Sequence, residues 1–352
     1  MGDEGVVSIP DQQVGIVWPH GRSDNLIISV DLSGRLNYFA PGSAKPVRVI
    51  EGHQRSITAA GLIPSSAASS DSPATFYTGS YDGRVRAWNL SSGTAAAIDG
   101  EAHSNQVSSI SNGDGRMYSV AWDDTLRTID VPSATFTGSA AKTSGQPAGV
   151  AHSSTGSVLV ATHKGIDIFS ASSGEKTGSL ETKFSATCIA VPRAGSTVAV
   201  GGDDRVLHLY TLSSDSTLKE LSSIPSLAAA PSTLSFSPSG SLLAIGLASG
   251  GISVYNTSDW SLNTSRWSAH TARVTAISWR ADGEFAVSGS LDTNVFVWSL
   301  RSPGKRVKAS GAHKDGVGGV VWVGEGMGKE GERVVSVGAD AAVKVWRVEG
   351  LV

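Results

Sequence analysis

The sequence predicts an all-β protein folded as a β-propeller, a ring of four-stranded blades. The first observation is local: between His270 and Trp298 lie the short runs VTAISW, EFAVSGS and VFVW, separated by turn residues. Period-two alternation in runs this short indicates strands joined by tight turns. The second observation is recurrence of the pattern along the chain, with strand ends about 40–49 residues apart, as expected for propeller blades.

Eight copies of the pattern align on the residue that ends the third strand of each unit. These ends are Phe39, Trp88, Ile129, Phe169, Tyr210, Tyr255, Trp298 and Trp346. We interpret residues 53–352 as one ring of seven blades and residues 1–52 as an extra N-terminal blade unit. The alternative is a closed eight-bladed ring that includes the first unit. The last unit ends without an outer strand of its own, and the sequence does not identify the donor of that strand.

Three units carry related sets of polar and aromatic residues. The sets are His53, Ser80, Asp82 and Trp88; His270, Ser290, Asp292 and Trp298; and His313, Asp340 and Trp346, with Gly338 in the place of the serine. Here the sequence resembles the WD-repeat family, in which such side chains form a hydrogen-bonded chain within a blade. A buried polar group is tolerated only when it is paired, so a connected chain is consistent with this role.

Serine, histidine and aspartate also form hydrolase triads, but the structural interpretation is favoured here. A nucleophile is needed once, whereas these residues recur in unit after unit beside an aromatic strand end. In the third unit Ala121 and Ile129 stand in the places of the serine and the tryptophan. The innermost strand segments are almost free of titratable residues. The sequence therefore predicts no enzyme and no cofactor or metal site.

Composition argues against several kinds of partner. The net charge is −3 and 17% of the residues are charged, without a basic run, so neither nucleic acid nor an anionic membrane is predicted. Cys188 is the only cysteine, which excludes an internal disulfide and fits a reducing compartment. No apolar run reaches the length of a membrane span and the N-terminus lacks a signal pattern. We expect a cytoplasmic monomer.

Longer segments are more specific than a generic repeat. They are DQQVGIVW, LIISVDLSGRLNYF, KPVRVIEGH, GSYDGRVRAWN, VAVGGDDRVLHLY and VFVWSLRSPGKRVK. Through them nearly the whole chain resembles the C-terminal half of the actin-interacting protein 1 family, whose members carry two seven-bladed propellers. The resemblance implies that the first unit belongs to another propeller. It also implies binding to actin filaments and ADF/cofilin at the cortical cytoskeleton, with filament severing and disassembly. The alternative is a generic interaction scaffold without an actin role.

One residue in each ring unit precedes the turn and is expected to point towards the face where the central channel opens. These residues are Tyr81, Trp122, Thr162, Asp203, Ala248, Leu291 and Ala339. Large apolar side chains have little core to join at that face, and aromatic anchors dominate interface energies. We therefore predict Tyr81, Trp122 and Leu291 as partner-binding residues. The alternative is local packing against neighbouring loops.

Overall fold

A computed structural model describes residues 52–63, 75–89, 94–113, 115–323 and 332–349, together with four short strands between residues 13 and 50. The regular structure of these residues consists of strands alone, arranged in eight antiparallel sheets. Strands adjacent in each sheet are also adjacent in sequence, so every sheet is a simple meander. The all-β prediction is confirmed.

The first sheet precedes the ring blades in the chain. It contains β1 (Gln13–Val17), β2 (Ile27–Asp31), β3 (Leu36–Phe39) and β4 (Arg48–Ile50). Successive strands pair antiparallel, as in a propeller blade. The assignment of residues 1–52 to a separate blade unit stays a prediction.

The other seven sheets are blades one to seven of a ring, and equivalent strands occur at equivalent depths. The innermost strands are β5 (Ile57–Ile63), β9 (Val107–Gly113), β13 (Pro147–Ser153), β17 (Ala186–Ala190), β21 (Pro231–Phe236), β25 (Val274–Trp279) and β29 (Val317–Trp322). The second strands are β6 (Thr75–Ser80), β10 (Arg116–Ala121), β14 (Ser157–Thr162), β18 (Thr197–Gly202), β22 (Leu242–Leu247), β26 (Phe285–Ser290) and β30 (Arg333–Gly338).

The third and fourth strands lie further out. The third strands are β7 (Val85–Asn89), β11 (Thr125–Asp130), β15 (Gly165–Ser170), β19 (Leu207–Leu212), β23 (Ile252–Asn256), β27 (Val295–Ser299) and β31 (Val343–Arg347). The outermost strands are β8 (Thr94–Ala97), β12 (Thr135–Lys142), β16 (Lys176–Glu181), β20 (Leu218–Ile224), β24 (Leu262–Trp267) and β28 (Arg306–Ala309).

The ring closes through seven blades. Each innermost strand contacts the innermost strand of the next blade, and β29 of blade seven contacts β5 of blade one. At this seam Ile57 and Phe76 of blade one share a buried cluster with Val335 and Val337 of blade seven. The seven-bladed prediction is confirmed, and the alternative of a closed eight-bladed ring is not supported.

The hydrophobic core lies between neighbouring blades. Leu159 and Ile166 of blade three, for example, pack in one cluster with Val198 and Val200 of blade four. Because blades pack against both of its faces, a second strand such as β26 is buried along its whole length. An outermost strand such as β20 is mostly exposed. Burial therefore decreases from the second strand to the outermost strand of a blade.

Blade seven has three strands where the other six ring blades have four. Within the described ranges, no strand pairs with the outer edge of β31. Val345 on this strand is consequently 47% exposed. That the last unit has no outer strand of its own stays a prediction, because residues 350–352 lie outside the described part of the chain.

Candidate functional site

Blade six contains a complete chain of polar side chains. Trp298 Nε1 donates to Ser288 Oγ at 2.8 Å, and that oxygen lies 2.8 Å from His270 Nε2. The other imidazole nitrogen, Nδ1, lies 2.9 Å from Asp292 Oδ2. Because an indole N–H only donates and a carboxylate only accepts, one direction satisfies every member. The serine hydroxyl donates to Nε2, and the Nδ1–H of a neutral imidazole donates to the aspartate.

Blade one repeats this arrangement with a threonine. His53 Nε2 and Trp88 Nε1 each lie 2.7 Å from Thr78 Oγ1. His53 Nδ1 lies 3.5 Å from Asp82 Oδ2, a longer separation than in blade six. The structure therefore brings together three of the four residues predicted for this blade and adds Thr78 to them.

Blade seven has a full chain, although the sequence interpretation left it without a serine. His313 Nε2 lies 2.8 Å from Ser336 Oγ, to which Trp346 Nε1 donates at 2.7 Å. His313 Nδ1 lies 2.7 Å from Asp340 Oδ1. The prediction that Gly338 takes the serine position is wrong, because the hydroxyl is supplied two residues earlier.

The assignment of Ser290 to the chain in blade six is wrong for the same reason. In the β26–β27 pair Trp298 lies opposite Ala286, and Ser288 is the diagonal neighbour two residues further along the strand. A diagonal neighbour is within reach of a long aromatic side chain. Ser290 lies at the end of the strand, beyond the reach of the indole. Counting residue pairs back from the hairpin turn would have identified Ser288.

Ser80 and Ser290 have a different role in the structure. The Ser290 hydroxyl donates to the carbonyl of Ala272 at 2.9 Å and accepts the backbone N–H of Asp292 at 3.1 Å. Ser80 makes the equivalent bond to the carbonyl of Arg55 at 3.2 Å. These serines therefore tie the hairpin turn to the loop that enters the blade.

Blade two contains a partial chain that the sequence interpretation missed. His103 Nε2 lies 2.9 Å from Ser119 Oγ, and His103 Nδ1 lies 3.2 Å from Asp123 Oδ2. Ile129 occupies the position of the tryptophan, so the hydroxyl receives no indole N–H. The serine again precedes the position assigned from the sequence, Ala121, by two residues.

Blade three replaces the histidine chain with an ion pair between a buried aspartate and a partly exposed lysine. Asp167 is 1% exposed and accepts bonds at 2.6 Å from both the backbone N–H and the hydroxyl of Ser144. Lys176 Nζ lies 2.6 Å from the same carboxylate. The entry loop of this blade is thereby held by a different set of side chains, which no repeat motif in the sequence indicated.

The hydrogen-bonded environment of the turn aspartates lowers their pKa values. Burial acts to raise the pKa of Asp82, but the neighbouring His53 imidazole and hydrogen bonds from the backbone N–H groups of Arg84 and Gln54 outweigh it and lower the pKa to about 2. Burial is likewise outweighed by hydrogen bonds at Asp292, whose pKa is also lowered. Burial lowers the pKa of His270, although Asp292 opposes this effect. At neutral pH the pair in blade six therefore consists of a charged Asp292 and a neutral His270.

The wall of the central channel carries a second recurring feature. In five blades the second residue of the innermost strand is a hydroxyl residue that donates to a carbonyl of the next blade at 2.6–3.0 Å. The donors are Thr58, Ser108, Thr187, Ser232 and Thr275. Ala148 and Gly318 hold this position in the other two blades. The sequence interpretation missed this belt of bonds, although the recurring Ser or Thr was visible.

Gly318 lies at the seam where blade seven meets blade one. A Cβ atom at this position would lie 2.0 Å from the carbonyl oxygen of Ile57. Since backbone atoms cannot move away easily, we expect Gly318→Ala to lower the free energy of unfolding by about 1–3 kcal/mol. Urea unfolding measures this change. Ala148→Ser, at the equivalent position of blade three, is the control and should leave the midpoint nearly unchanged; an equal effect of both changes would contradict the close approach at the seam.

The channel opens at one face into a cavity of about 660 Å³. Residues that precede the hairpin turns form its rim. They are Tyr81, Trp122, His163, Asp203, Leu291 and Ala339. The three residues predicted to bind a partner are therefore on one rim, with exposures of 45% for Tyr81, 42% for Trp122 and 52% for Leu291. These three side chains lie at the face where the channel opens, as expected from the sequence, and partner binding stays a prediction.

Two other rim positions differ from the prediction. Thr162 is buried and pairs with Gly165 across a two-residue turn, so His163 takes the rim position of blade three. The turns of the other blades are longer, which is why the count from the sequence is wrong by one residue here. Ala248 is partly buried and does not line the cavity.

The regular structure in the described part of the chain consists of strands. It contains no helix long and apolar enough to cross a bilayer. Within the same part, no group of three or more His, Cys, Asp and Glu side chains is arranged to hold a metal ion.

Two family models match the sequence. Residues 44–89 match the WD domain, G-beta repeat, and residues 127–295 match a domain of unknown function, DUF7165. In fold, 96% of this chain is similar to 96% of the computationally designed protein Ika8, with a TM-score of 0.60 at 18% identity. At that identity the likeness concerns the fold alone.

Curated relatives match nearly the whole chain. Actin-interacting protein 1 of Drosophila melanogaster is 34% identical over 98% of this chain and 54% of its own length. Actin-interacting protein 1 of Caenorhabditis elegans is 30% identical over 97% of this chain and 54% of its own length. An uncharacterized WD repeat-containing protein of Schizosaccharomyces pombe is 35% identical over 96% of this chain and 53% of its own length. The chain thus spans about half the length of these relatives.

Proposed function

Because this chain is a WD-repeat β-propeller, we propose that it is a binding scaffold for actin filaments decorated with ADF/cofilin, and that it favours their severing and disassembly at the cortical cytoskeleton. The observation that carries the proposal is similarity over nearly the whole chain to relatives named actin-interacting protein 1. Repeats of this class generally serve as binding scaffolds rather than as enzymes. A scaffold that binds the severing-competent filament more tightly than the intact one shifts the population without any chemistry of its own.

The N-terminal unit extends this proposal. Strands β1–β4 form a four-stranded sheet of the blade type, and the chain spans about half the length of its relatives. We therefore infer that residues 1–52 complete a second ring when further blades are available. Linking two modest contacts raises avidity by orders of magnitude. One ring is accordingly expected to bind decorated filaments less tightly than a protein that presents two.

We place the contact surface on the rim of the channel. Six large apolar side chains are exposed in the described part of the chain, and three of them, Tyr81, Trp122 and Leu291, line the same cavity. The other three are scattered over the outer strands of three different blades. A cluster of exposed apolar side chains marks an interaction site more often than single ones do. The rim is therefore the surface that best suits a protein partner.

Co-sedimentation with cofilin-decorated filaments tests both parts of the proposal. The unmodified chain should pellet with decorated filaments. We expect a variant with alanine at Tyr81, Trp122 and Leu291 to lose most of this binding, about tenfold or more, because central aromatic anchors carry most interface energy. The matched control carries alanine at Leu221 and Leu262, which are equally exposed on outer strands.

The outcomes separate the function from the surface. Failure of the unmodified chain to pellet with decorated filaments would contradict the actin-related function and favour a scaffold for another partner. Equal binding by the rim variant and the control would retain the function and place the contact elsewhere. Thermal unfolding of each variant checks that the ring remains folded.

A further inference from the structure

The rim has two chemically different halves. Blades six, seven, one and two contribute Leu291, Ala339, Tyr81 and Trp122, all of them apolar or aromatic. Blades three and four contribute His163 and Asp203. Since the blades follow one another around the ring, the first four residues form one continuous apolar arc. We call these four residues the apolar arc.

The turn aspartates beneath the apolar arc are committed to internal bonds. In these four blades the turn aspartates face the histidines of the polar chains, and their side chains are only 4–16% exposed. The oxygens of these four aspartates are therefore occupied by donors of the ring itself and are poorly placed to meet a partner. Glu101, in the entry loop of blade two, is 86% exposed but pairs with Arg127 at 3.4 Å.

Several cations of the same loops are exposed and unpaired. Among the described residues, no hydrogen bond or ion pair is formed by the side chains of Arg55, Arg84, Arg273 and Lys314. Two acidic side chains, Asp124 and Asp315, are also exposed and unpaired in these loops. The unpaired charges around the apolar arc are therefore predominantly positive, with four cations against two anions, although the chain as a whole has a net charge of −3.

Arg273 is the cation best placed to act with the arc. Arg273 lines the same cavity as Leu291, and the Leu291 backbone N–H donates to the Arg273 carbonyl at 3.0 Å. The two side chains therefore leave neighbouring points of the backbone in blade six. The planar guanidinium of an arginine matches a carboxylate with two parallel hydrogen bonds.

We propose that the apolar arc binds a segment of a partner protein in which a bulky apolar side chain is flanked by carboxylates. The apolar side chain enters the cavity between Trp122, Tyr81 and Leu291, and a flanking carboxylate pairs with Arg273. This inference deepens the proposed function, on which it rests for the existence of a protein partner. It adds the chemistry by which the partner is recognised.

Three labelled peptides of equal length test this recognition by fluorescence anisotropy. One carries a tryptophan flanked by glutamates, the second has lysines in place of the glutamates, and the third has alanine in place of the tryptophan. We expect the first peptide to bind, and each of the other two to bind more weakly by a factor of about ten or more. Arg273→Glu and Trp122→Ala should each weaken binding of the first peptide by a similar factor. Lys219→Glu and Leu221→Ala, both on the exposed strand β20, are matched controls that should leave it unchanged.

The inference would be overturned by equal binding of the lysine peptide, by equal binding of the first peptide to the Arg273 and Trp122 variants, or by a self-associated chain that Trp122→Ala makes monomeric in analytical ultracentrifugation. The last result would show that a second copy occupies the arc. Filament co-sedimentation without peptide binding would defeat this inference and leave the proposed function standing. Peptide binding by a chain that does not co-sediment with filaments would support the recognition chemistry and contradict the proposed function.

Discussion

Replacing Ser288 with alanine is expected to lower the free energy of unfolding by about 2–4 kcal/mol, because two buried groups lose their partner at once. His270 Nε2 and the indole N–H of Trp298 both bond to the Ser288 hydroxyl at 2.8 Å. Both rings are buried, so water cannot replace the lost oxygen without opening the blade. Urea unfolding followed by tryptophan fluorescence measures the change.

Two further variants make this expectation specific to Ser288. Ser288→Thr keeps a hydroxyl, as Thr78 does in blade one, and should recover most of the stability. Ser290→Ala removes a bond to the Ala272 carbonyl but leaves the polar chain intact. The indole N–H resonance of Trp298 should therefore shift in Ser288→Ala and stay in place in Ser290→Ala. The opposite pattern would return the serine of the chain to position 290.

The ring is expected to lose stability in acid, and the pKa values of the turn aspartates determine the pH range of this loss. The pKa of Asp82 is lowered from an ordinary value of 3.8 to about 2. The pKa values of Asp123, Asp292 and Asp340 are lowered as well, since hydrogen bonds from histidines and backbone N–H groups outweigh the opposing effect of burial. The folded state therefore binds protons less readily than the unfolded state at these four sites.

The sign of the pH dependence follows from this difference. The stabilisation is fully present above pH 3.8, the ordinary pKa, and is lost as the pH falls towards 2, the folded pKa of Asp82. Asp82 alone contributes about 2 kcal/mol to this loss. Burial lowers the pKa of His270 from its ordinary value of 6.5, so His270 adds a further loss that begins as the pH falls below 6.5.

Melting temperatures across this pH range check the expectation. Asp82→Asn cannot ionise, so its melting temperature should start lower at neutral pH and depend less on pH between 3.8 and 2. Asp315→Asn is the control, because this exposed carboxylate forms no hydrogen bond within the described ranges. A pH profile of Asp82→Asn that parallels the unmodified chain would show that the lowered pKa contributes nothing to stability.

The polar chains show how far a repeat can be interpreted without coordinates. Spacing alone identified His270, Asp292 and Trp298 as one set, because the loop, the turn and the strand end recur at fixed intervals. The serine was misplaced, since Ser288 and Ser290 lie on the same face of one strand and differ only in what lies across the hairpin. The choice between them depends on register, and the repeat spacing does not specify it.

The rim divides in a similar way. Strand alternation was sufficient to place Tyr81, Trp122 and Leu291 on the channel face, because successive side chains of a strand point to opposite sides. The tight turn that moves Thr162 into the strand and His163 onto the rim depends on the local hairpin geometry. The unpaired state of Arg273 beside Leu291 likewise depends on which charges the folded loops bring together.

The sequence by itself determined the class of fold and the blade period, because both follow from local alternation and from turn residues repeated at regular intervals. Only the tertiary structure decided that the ring closes with seven blades. Closure depends on whether β29 reaches β5, a contact between strands far apart in the chain. The two glycines that begin GGVVW allow that approach, since a Cβ at Gly318 would meet the Ile57 carbonyl at 2.0 Å. Periodicity counts the units, whereas the packing at the seam decides how many of them form the ring.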